Sequence, residues 1–380
     1  MHLRGRIVSA AHDIDDGVVS VEGERITGVR TASEWMAAHP DWARLPHWGT
    51  LLPGLVDIHN HGGAGHRFDT VDQEEAAAAA AFHRGRGTTT MLAGIVTAAP
   101  GVMVDQVAVL RELAADGVVG GIHVEGPFLS GSRCGAHDPR LLLDPDPVLA
   151  RRLLAAAGGH LRVMTIAPER PGFAGVARLL AEQGVTVSLG HSDAGFEDFR
   201  NGLRPGGPGS SVTHLGNGMP PMHHRSAGPV AAALTAAAQG QSAVELIGDG
   251  VHVDSGFAAM VFATARDRVA LVTDAMAAAG MPDGVYRLGP QEVRVSDGVA
   301  RVAGGSIAGG TADLLRCVAW VVRECGVPLR DAVRAATLTP AATAGLADVG
   351  ELRAGAYADL IVVDDELRLR RVLHRGRWVS

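Results

Sequence analysis

Short apolar runs alternate with longer stretches of helical character from residue 52 onward. Each run is almost continuously apolar and rich in β-branched residues, as expected for strands buried on both faces. Eight runs follow this pattern, at residues 52–61, 88–96, 118–126, 162–169, 184–192, 210–217, 243–253 and 268–275. The intervening stretches with helical character include 73–86, 102–116, 172–183 and 256–267. The alternation predicts a (β/α)₈ TIM-type barrel. A doubly wound open sheet is the alternative, but no G-x-G-x-x-G follows the first run.

Both ends of the chain depart from this alternation. They contain short alternating segments and turn signals, which indicate antiparallel strands. Because domain termini often lie close together, we expect both ends to build one small β-sandwich domain. The predicted division is residues 1–51 and 346–380 for this domain and 52–345 for the barrel. A hairpin is predicted at 285–305, after the eighth run.

Composition narrows the classes of function. The formal net charge of −7 argues against nucleic acid or an anionic membrane as a partner, since both need a basic surface. The 3 cysteines are too few and too scattered for a disulfide framework, so a cytoplasmic protein is expected. All 34 basic residues are arginine. The absence of lysine excludes any site built on a carbamylated lysine or a lysine Schiff base.

Histidines and carboxylates recur where the predicted strands end. His59 and His61 close the first run, and positions i and i+2 of a strand point to the same side. One H-x-H is expected by chance in a chain with 17 histidines, so this motif alone is weak. Four further strand ends carry the same residue types, namely Glu125, His191, His214 and Asp274. Since the active site of a TIM barrel lies at these ends, the set predicts a metal centre.

Mixed imidazole and carboxylate ligands suit a divalent first-row ion. Zn²⁺ is the first candidate, with Fe²⁺ or another first-row ion as the alternative. One or two ions per subunit are compatible with the ligand count. In a two-ion arrangement, His59 and His61 hold one ion, His191 and His214 hold the other, and Glu125 lies between them. Glu125 is the strand-end carboxylate placed to replace a carbamylated lysine.

The motifs PGLVDIHNHG, HVEGPFL, GAHDP, LGHS, THLGNGMP, DGVHVD and LVTDA together resemble the amidohydrolase superfamily. Within it, the chain is most similar to the N-acetylglucosamine-6-phosphate deacetylases, over nearly its whole length. The resemblance implies that Glu125, His191 and His214 bind the principal metal. His59 and His61 resemble the H-x-H of members that bind a second ion. Asp274 corresponds to the general acid/base, and His137 to the residue that polarises the acetyl carbonyl.

The same resemblance implies a phosphorylated amino sugar as the small-molecule partner, and removal of its N-acetyl group as the reaction. It assigns phosphate binding to Arg225 and His252, and it implies a homodimer in which phosphate contacts can cross between subunits. The residues implied to line the substrate site are Ala136, His137, Asn217, Gly218, Asp249, Ile307, Ala308 and Gly309.

Three glycines depart from the family pattern. Gly216 stands where the family has an aromatic residue, Gly218 where it has alanine, and Gly310 where it commonly has serine. These changes predict a roomier and more flexible wall around the substrate. They leave open a deacetylase of a different N-acylated amino sugar, with or without phosphate, or a deaminase-type amidohydrolase. The alternative outside enzymes is a metal-free scaffold.

Overall fold

The computed structural model describes residues 1–40, 45–203 and 210–379. Positions 41–44 of the predicted small domain, positions 204–209 of the predicted barrel and position 380 lie outside the described residues.

Eight parallel strands pair in chain order and form the barrel. Seven of them lie within the apolar runs identified in the sequence, the fourth begins one residue before its run, and their side chains are largely buried. Their bounds are Leu55–Asp57, Thr88–Ile95, Gly121–Glu125, Leu161–Ile166, Thr186–Leu189, Ser210–Val212, Ala243–Ile247 and Val269–Val272. Just beyond the first and last strands, the Asp274 N–H donates to the His59 carbonyl (2.9 Å) and the His61 N–H to the Ala275 carbonyl (2.7 Å). These bonds bring the two edges of the sheet together.

Helices alternate with these strands and cover the outside of the barrel. Several begin at an aspartate whose side chain accepts backbone N–H groups of the first turn, as Asp72, Asp146 and Asp254 do. The helices between barrel strands are Gln73–Gly85, Pro100–Ala115, Pro147–Ala157, Phe173–Glu182, Phe196–Gly202, Gly228–Ala238 and Ser255–Ala265. After the eighth strand come Leu314–Glu324, Leu329–Ala335 and Leu338–Thr343, and short 3₁₀ turns occupy Gly131–Arg133, Pro139–Leu141 and Arg266–Arg268.

Both ends of the chain contribute to a separate seven-stranded sheet. The C-terminal strand Leu360–Val363 pairs antiparallel with His47–Pro53, which pairs parallel with His2–Val8. The sheet has its own apolar core, which includes Leu3, Ile7 and Leu360. Its remaining strands are Asp13–Glu22, Arg25–Thr31, Leu369–His374 and Arg377–Trp378, and the helix Ala32–Ala38 lies between its third and fourth strands. The predicted TIM-type barrel with a small β-domain from both termini is confirmed.

A small antiparallel sheet follows the eighth barrel strand. It consists of Gly284–Leu288, Gln291–Ser296 and Val299–Val302, so the predicted hairpin has a third strand. Its inner face packs with Val96, Met276 and Ala308 beside the barrel mouth. A shorter pair, Gly62–Gly63 with His66–Arg67, directly follows the H-x-H segment. In the part of the chain that the structure describes, no helix is long and apolar enough to cross a membrane.

Candidate metal centre and active site

The predicted ligands meet at the C-terminal mouth of the barrel. His59 and His61 follow the first strand, Glu125 ends the third, and His191, His214 and Asp274 each lie two residues beyond their strands. His191, His214 and Asp274 have positive φ angles of 47°, 27° and 48°. Such a conformation costs a non-glycine residue about 1–3 kcal/mol and concentrates at functional sites. The strand ends therefore hold strained backbone where the candidate ligands converge.

The carboxylate of Glu125 lies at the centre of this group. One oxygen, Oε1, is 3.1 Å from the Nε2 atoms of both His191 and His214. The other, Oε2, is 3.3 Å from His61 Nε2 and 3.4 Å from His137 Nε2. Oε1 is also 3.6 Å from His59 Nε2, so the carboxylate lies among five imidazoles.

The Asp274 carboxylate lies beside two of these imidazoles. Its Oδ1 lies 3.2 Å from His61 Nε2 and 3.5 Å from His59 Nε2. The two imidazole nitrogens are themselves 3.1 Å apart. The candidate ligand atoms of His59, His61 and Asp274 all lie within 4.8 Å of one another, so these three residues could bind one ion.

Hydrogen bonds fix which nitrogen of each imidazole faces the centre. His61 Nδ1 is 3.2 Å from the Gly94 carbonyl and His191 Nδ1 is 2.7 Å from the Arg133 carbonyl. A carbonyl only accepts, so Nδ1 carries the proton in both residues. In the neutral ring, which is the form that binds a metal, each Nε2 then carries the lone pair directed at the cluster.

The electrostatics of the cluster favour a cation. Burial alone would raise the pKa of the Glu125 carboxyl, but the neighbouring imidazoles hold that pKa well below its usual range. The pKa of Asp274 is likewise lowered against burial, chiefly by His59 and His61. Conversely, Asp274 and Glu125 overcome burial and raise the pKa of His61 to about 9. The buried carboxylates thus attract positive charge, and the donor set fits a divalent first-row ion.

His137 faces the same centre as a hydrogen-bond donor. The Thr97 backbone N–H donates to His137 Nδ1 at 3.3 Å, so the proton of the neutral ring is on Nε2. Burial lowers the pKa of His137, which keeps the ring neutral. Its Nε2–H points towards Glu125 and the cavity above it. A neutral imidazole in this position can donate to a carbonyl oxygen of a substrate.

A cavity of about 360 Å³ opens directly above the cluster. It is lined by eight of the residues that the sequence assigned to substrate binding, namely Ala136, His137, Asn217, Gly218, His252, Ile307, Ala308 and Gly309. Asp249 lies behind the wall, with Oδ2 at 2.7 Å from His252 Nδ1. Burial would lower the pKa of His252, but this carboxylate raises it. Arg225 is exposed and outside the cavity, with its guanidinium 2.7 Å from His224 Nε2.

The sequence profile of the amidohydrolase family matches residues 50–379, which include the barrel strands and the C-terminal part of the small domain. The chain belongs to the amidohydrolase family. Members of this superfamily are metal-dependent, in agreement with the ligand groups at the barrel mouth. The chain is a hydrolase that acts on an amide bond.

Individual relatives cover most of the chain. The N-acetylgalactosamine-6-phosphate deacetylase of Escherichia coli O157:H7 is 34% identical over 87% of this chain and 88% of its own length. The N-acetylglucosamine-6-phosphate deacetylase of Bacillus subtilis is 30% identical over 97% and 94%. A mutant N-acetyl-D-glucosamine-6-phosphate deacetylase from Mycobacterium smegmatis, in complex with N-acetyl-D-glucosamine-6-phosphate, superposes with a TM-score of 0.93. It is 39% identical and the match covers 100% of this chain and 98% of that one.

Two polar residues of this amidohydrolase site were missed by the sequence reasoning. Glu245 lies inside the seventh strand, and its Oε2 is 2.8 Å from His59 Nδ1. Asp57 ends the first strand and accepts the Thr273 hydroxyl at 2.6 Å, so it links the first and last strands. The signal for both is a carboxylate placed within an otherwise apolar run, because an unpaired charge there is costly.

Gly216 and Gly218 both lie against neighbouring side chains, and the looser substrate wall expected from them stays a prediction. A Cβ on Gly216 would lie 3.1 Å from the ring of Phe257, which therefore stands beside this position. At Gly218, with φ of +60°, a Cβ would lie 2.9 Å from His191 Nδ1. A side chain at either position would therefore meet a neighbouring side chain, although Gly218 also lines the cavity.

The Gly310 backbone also lies close to its neighbours, here the main chain of Thr273 and Asp274. A Cβ there would be 2.3 Å from the Thr273 carbonyl oxygen. The Gly310 N–H donates to the Asp274 carbonyl at 2.7 Å, and its carbonyl accepts from Met276 at 3.0 Å. The missing side chain thus allows the backbone of this wall to pair with the segment that carries Asp274.

Proposed function

We propose that this amidohydrolase removes the N-acetyl group from N-acetylglucosamine-6-phosphate, giving glucosamine-6-phosphate and acetate. The observation that carries the proposal is the barrel-mouth cavity, where the carboxylate of Asp274 and the Nε2–H of His137 face one cluster of candidate ligands. The relatives that act on 6-phosphorylated N-acetylhexosamines support the choice of substrate class.

We propose two divalent ions per subunit, with Zn²⁺ as the first candidate. His191, His214 and Glu125 would hold one ion, and His59, His61 and Asp274 the other, with Glu125 between them. A bound divalent ion lowers the pKa of water towards about 7 and polarises a carbonyl oxygen. The ligands fit this role because their lone pairs converge and their carboxylates are buried beside them.

The chain's own residues supply the proton transfers. The carboxylate of Asp274 accepts a proton from the water that attacks the acetyl carbon, and returns it to the nitrogen of the departing amine. His137 donates its Nε2–H to the acetyl oxygen as negative charge develops there. The C–N bond breaks, so acetate and the free amine are the products.

Phosphate recognition is assigned to His252 and Arg225. His252 lines the cavity, and its contact with Asp249 favours the charged imidazole that an anion requires. Because Arg225 lies outside the cavity of its own subunit, we propose that it reaches the cavity of a second copy in a homodimer. We further propose a cytoplasmic location, and the domain division 1–51 with 346–380 against 52–345.

Acetate release from a panel of N-acetylated sugars tests the proposal. The panel comprises the gluco, galacto and manno epimers, each with and without the 6-phosphate. N-acetylglucosamine-6-phosphate is expected to give the highest kcat/KM. A higher kcat/KM for N-acetylgalactosamine-6-phosphate would make that sugar the preferred substrate, in line with the Escherichia coli relative. Release of ammonia instead of acetate would show that the reaction is a deamination and not a deacetylation.

A further inference from the structure

Glu245 is a fully buried carboxylate within the barrel wall. It lies at the middle of the strand Ala243–Ile247, where the other positions are apolar, and it is 0% exposed. Burying an ionised carboxylate is costly unless hydrogen bonds compensate it. Packing alone therefore does not explain a glutamate at position 245.

The contacts of Glu245 point to the candidate metal centre. Its Oε2 lies 2.8 Å from His59 Nδ1 and accepts the backbone N–H of His214 at 3.2 Å. Its Oε1 has no hydrogen-bond partner among the described residues. One oxygen thus receives both bonds, and each comes from a residue of the ligand set.

His59 differs from the other ligands in the group that holds its Nδ1. His61 and His191 use backbone carbonyls, which stay in place whatever the side chains are. His59 instead depends on a side chain, and a carboxylate acceptor increases the basicity of the opposite ring nitrogen more than a carbonyl does. His59 is therefore the ligand whose orientation and donor strength one substitution can change.

We propose that Glu245 is a positioning residue that fixes His59 with the proton on Nδ1 and the lone pair on Nε2. Retention of the ion held by His59, His61 and Asp274 then depends on Glu245. This inference rests on the proposed function only in that it assumes a divalent ion at this centre.

The ion held by Glu125, His191 and His214 depends less on the Glu245 side chain. The Leu215 N–H donates to the Glu245 main-chain carbonyl at 2.8 Å, and this bond survives any substitution of the side chain. The segment that carries His214 thus keeps one anchor on the seventh strand. Loss of the carboxylate is therefore expected to affect the two ions unequally.

Zinc content and zinc affinity of the purified protein test this inference. Wild type, Glu245→Gln and Glu245→Ala are stripped with a chelator and reloaded with zinc. Bound zinc per chain is then counted by mass spectrometry, and dissociation constants are measured by chelator competition. We expect two zinc ions in wild type and a 10- to 100-fold weaker second site in Glu245→Ala, the usual range for loss of such a partner. Glu245→Gln should lose less, because its amide oxygen still accepts from His59.

Glu351→Ala is the matched control. Glu351 is another buried glutamate, and it accepts backbone N–H groups of Ala11 and Leu352 in the small domain. The Glu351→Ala variant should have a lower melting temperature than wild type and the same zinc content. A His59→Ala variant gives the zinc content expected when the second site is lost.

The outcomes separate this inference from the proposed function. Two tightly held ions in Glu245→Ala would overturn the positioning role and leave the deacetylase proposal standing. Equal weakening of both sites, or a single site in wild type, would also overturn it. Acetate release by wild type without any bound metal would instead refute the metal-dependent mechanism. If Glu245→Ala fails to fold, Glu245→Met decides, because it fills similar volume without an oxygen that can accept from His59, and an unchanged second site in that variant contradicts the inference.

Discussion

Asp69 links the small three-stranded sheet to the barrel beside the cavity. Its Oδ2 accepts the backbone N–H of Gly289, which follows the cavity residue Leu288. Its Oδ1 is buried without a hydrogen-bond partner among the described residues, and Arg67 lies 3.7 Å away. Replacing Asp69 by asparagine keeps an oxygen for Gly289 and removes the buried charge.

The magnitude follows from the pKa of this carboxyl. Burial, only partly opposed by Arg67 and the Gly289 N–H, raises the pKa of Asp69 from 3.8 to about 6. Because the folded protein holds this proton more tightly than the unfolded chain, folding is favoured below pH 4. That advantage is lost as the pH rises through 6. Each unit of pKa difference is worth about 1.4 kcal/mol, so the full loss is about 3 kcal/mol, and about half of it falls between pH 5.0 and 7.5.

The assay is the free energy of unfolding by urea at pH 5.0 and 7.5. The stability of Asp69→Asn relative to wild type should increase by about 1.4 kcal/mol between the two values, because the variant lacks the pH-dependent loss. Other titrating groups cancel in this comparison. Asp283→Asn is the control, since Asp283 also accepts hairpin N–H groups but is exposed. An unchanged or decreasing relative stability of Asp69→Asn would refute the reasoning.

Three substitutions test the site directly. Asp274→Asn should lower kcat for acetate release by 10²–10⁴-fold while zinc remains bound at Glu125, His191 and His214, and wild-type turnover would contradict the acid/base role. Arg225→Ala should raise KM about 10- to 100-fold for the 6-phosphorylated sugar and hardly at all for the unphosphorylated one, whereas equal changes would exclude a phosphate contact. Gly94→Ala should destabilise the protein by about 1–3 kcal/mol in thermal or urea unfolding and weaken zinc binding. The reason is that its Cβ would lie 2.5 Å from the Asn60 carbonyl and 2.9 Å from His61 Nδ1, so unchanged zinc affinity would show that the loop yields freely.

The barrel could be predicted from sequence because its strands are buried on both faces. Burial on both sides leaves a continuous apolar run, and the strand Thr88–Ile95 corresponds to the predicted 88–96 within one residue. The polar residues that end such runs stand out for the same reason. The sequence alone therefore identifies His191 and Asp274 as candidate ligands.

Long-range contacts account for what the sequence could not show. Phe257 lies beside Gly216 although 41 positions separate them, and no local pattern connects a helical phenylalanine with a loop glycine. The partnership of Glu245 with His59 spans 186 positions and is equally invisible. For Arg225 the sequence motif suggested phosphate binding, but the residue does not line the cavity of its own subunit.

The absence of lysine gives the position of Glu125 its significance. A carboxylate or carbamate can bridge two ions by offering one oxygen to each, and a carbamylated lysine does so from a long, flexible side chain. Here Glu125 ends a strand and directs Oε1 to His191 and His214, and Oε2 to His61. Because this shorter carboxylate cannot move far, the imidazoles must come to it. The left-handed backbone at His191 and His214 holds these residues in the geometry that meets it. Both the strained backbone at the strand ends and the absence of lysine are thus consistent with Glu125 as a fixed carboxylate between two candidate ion sites.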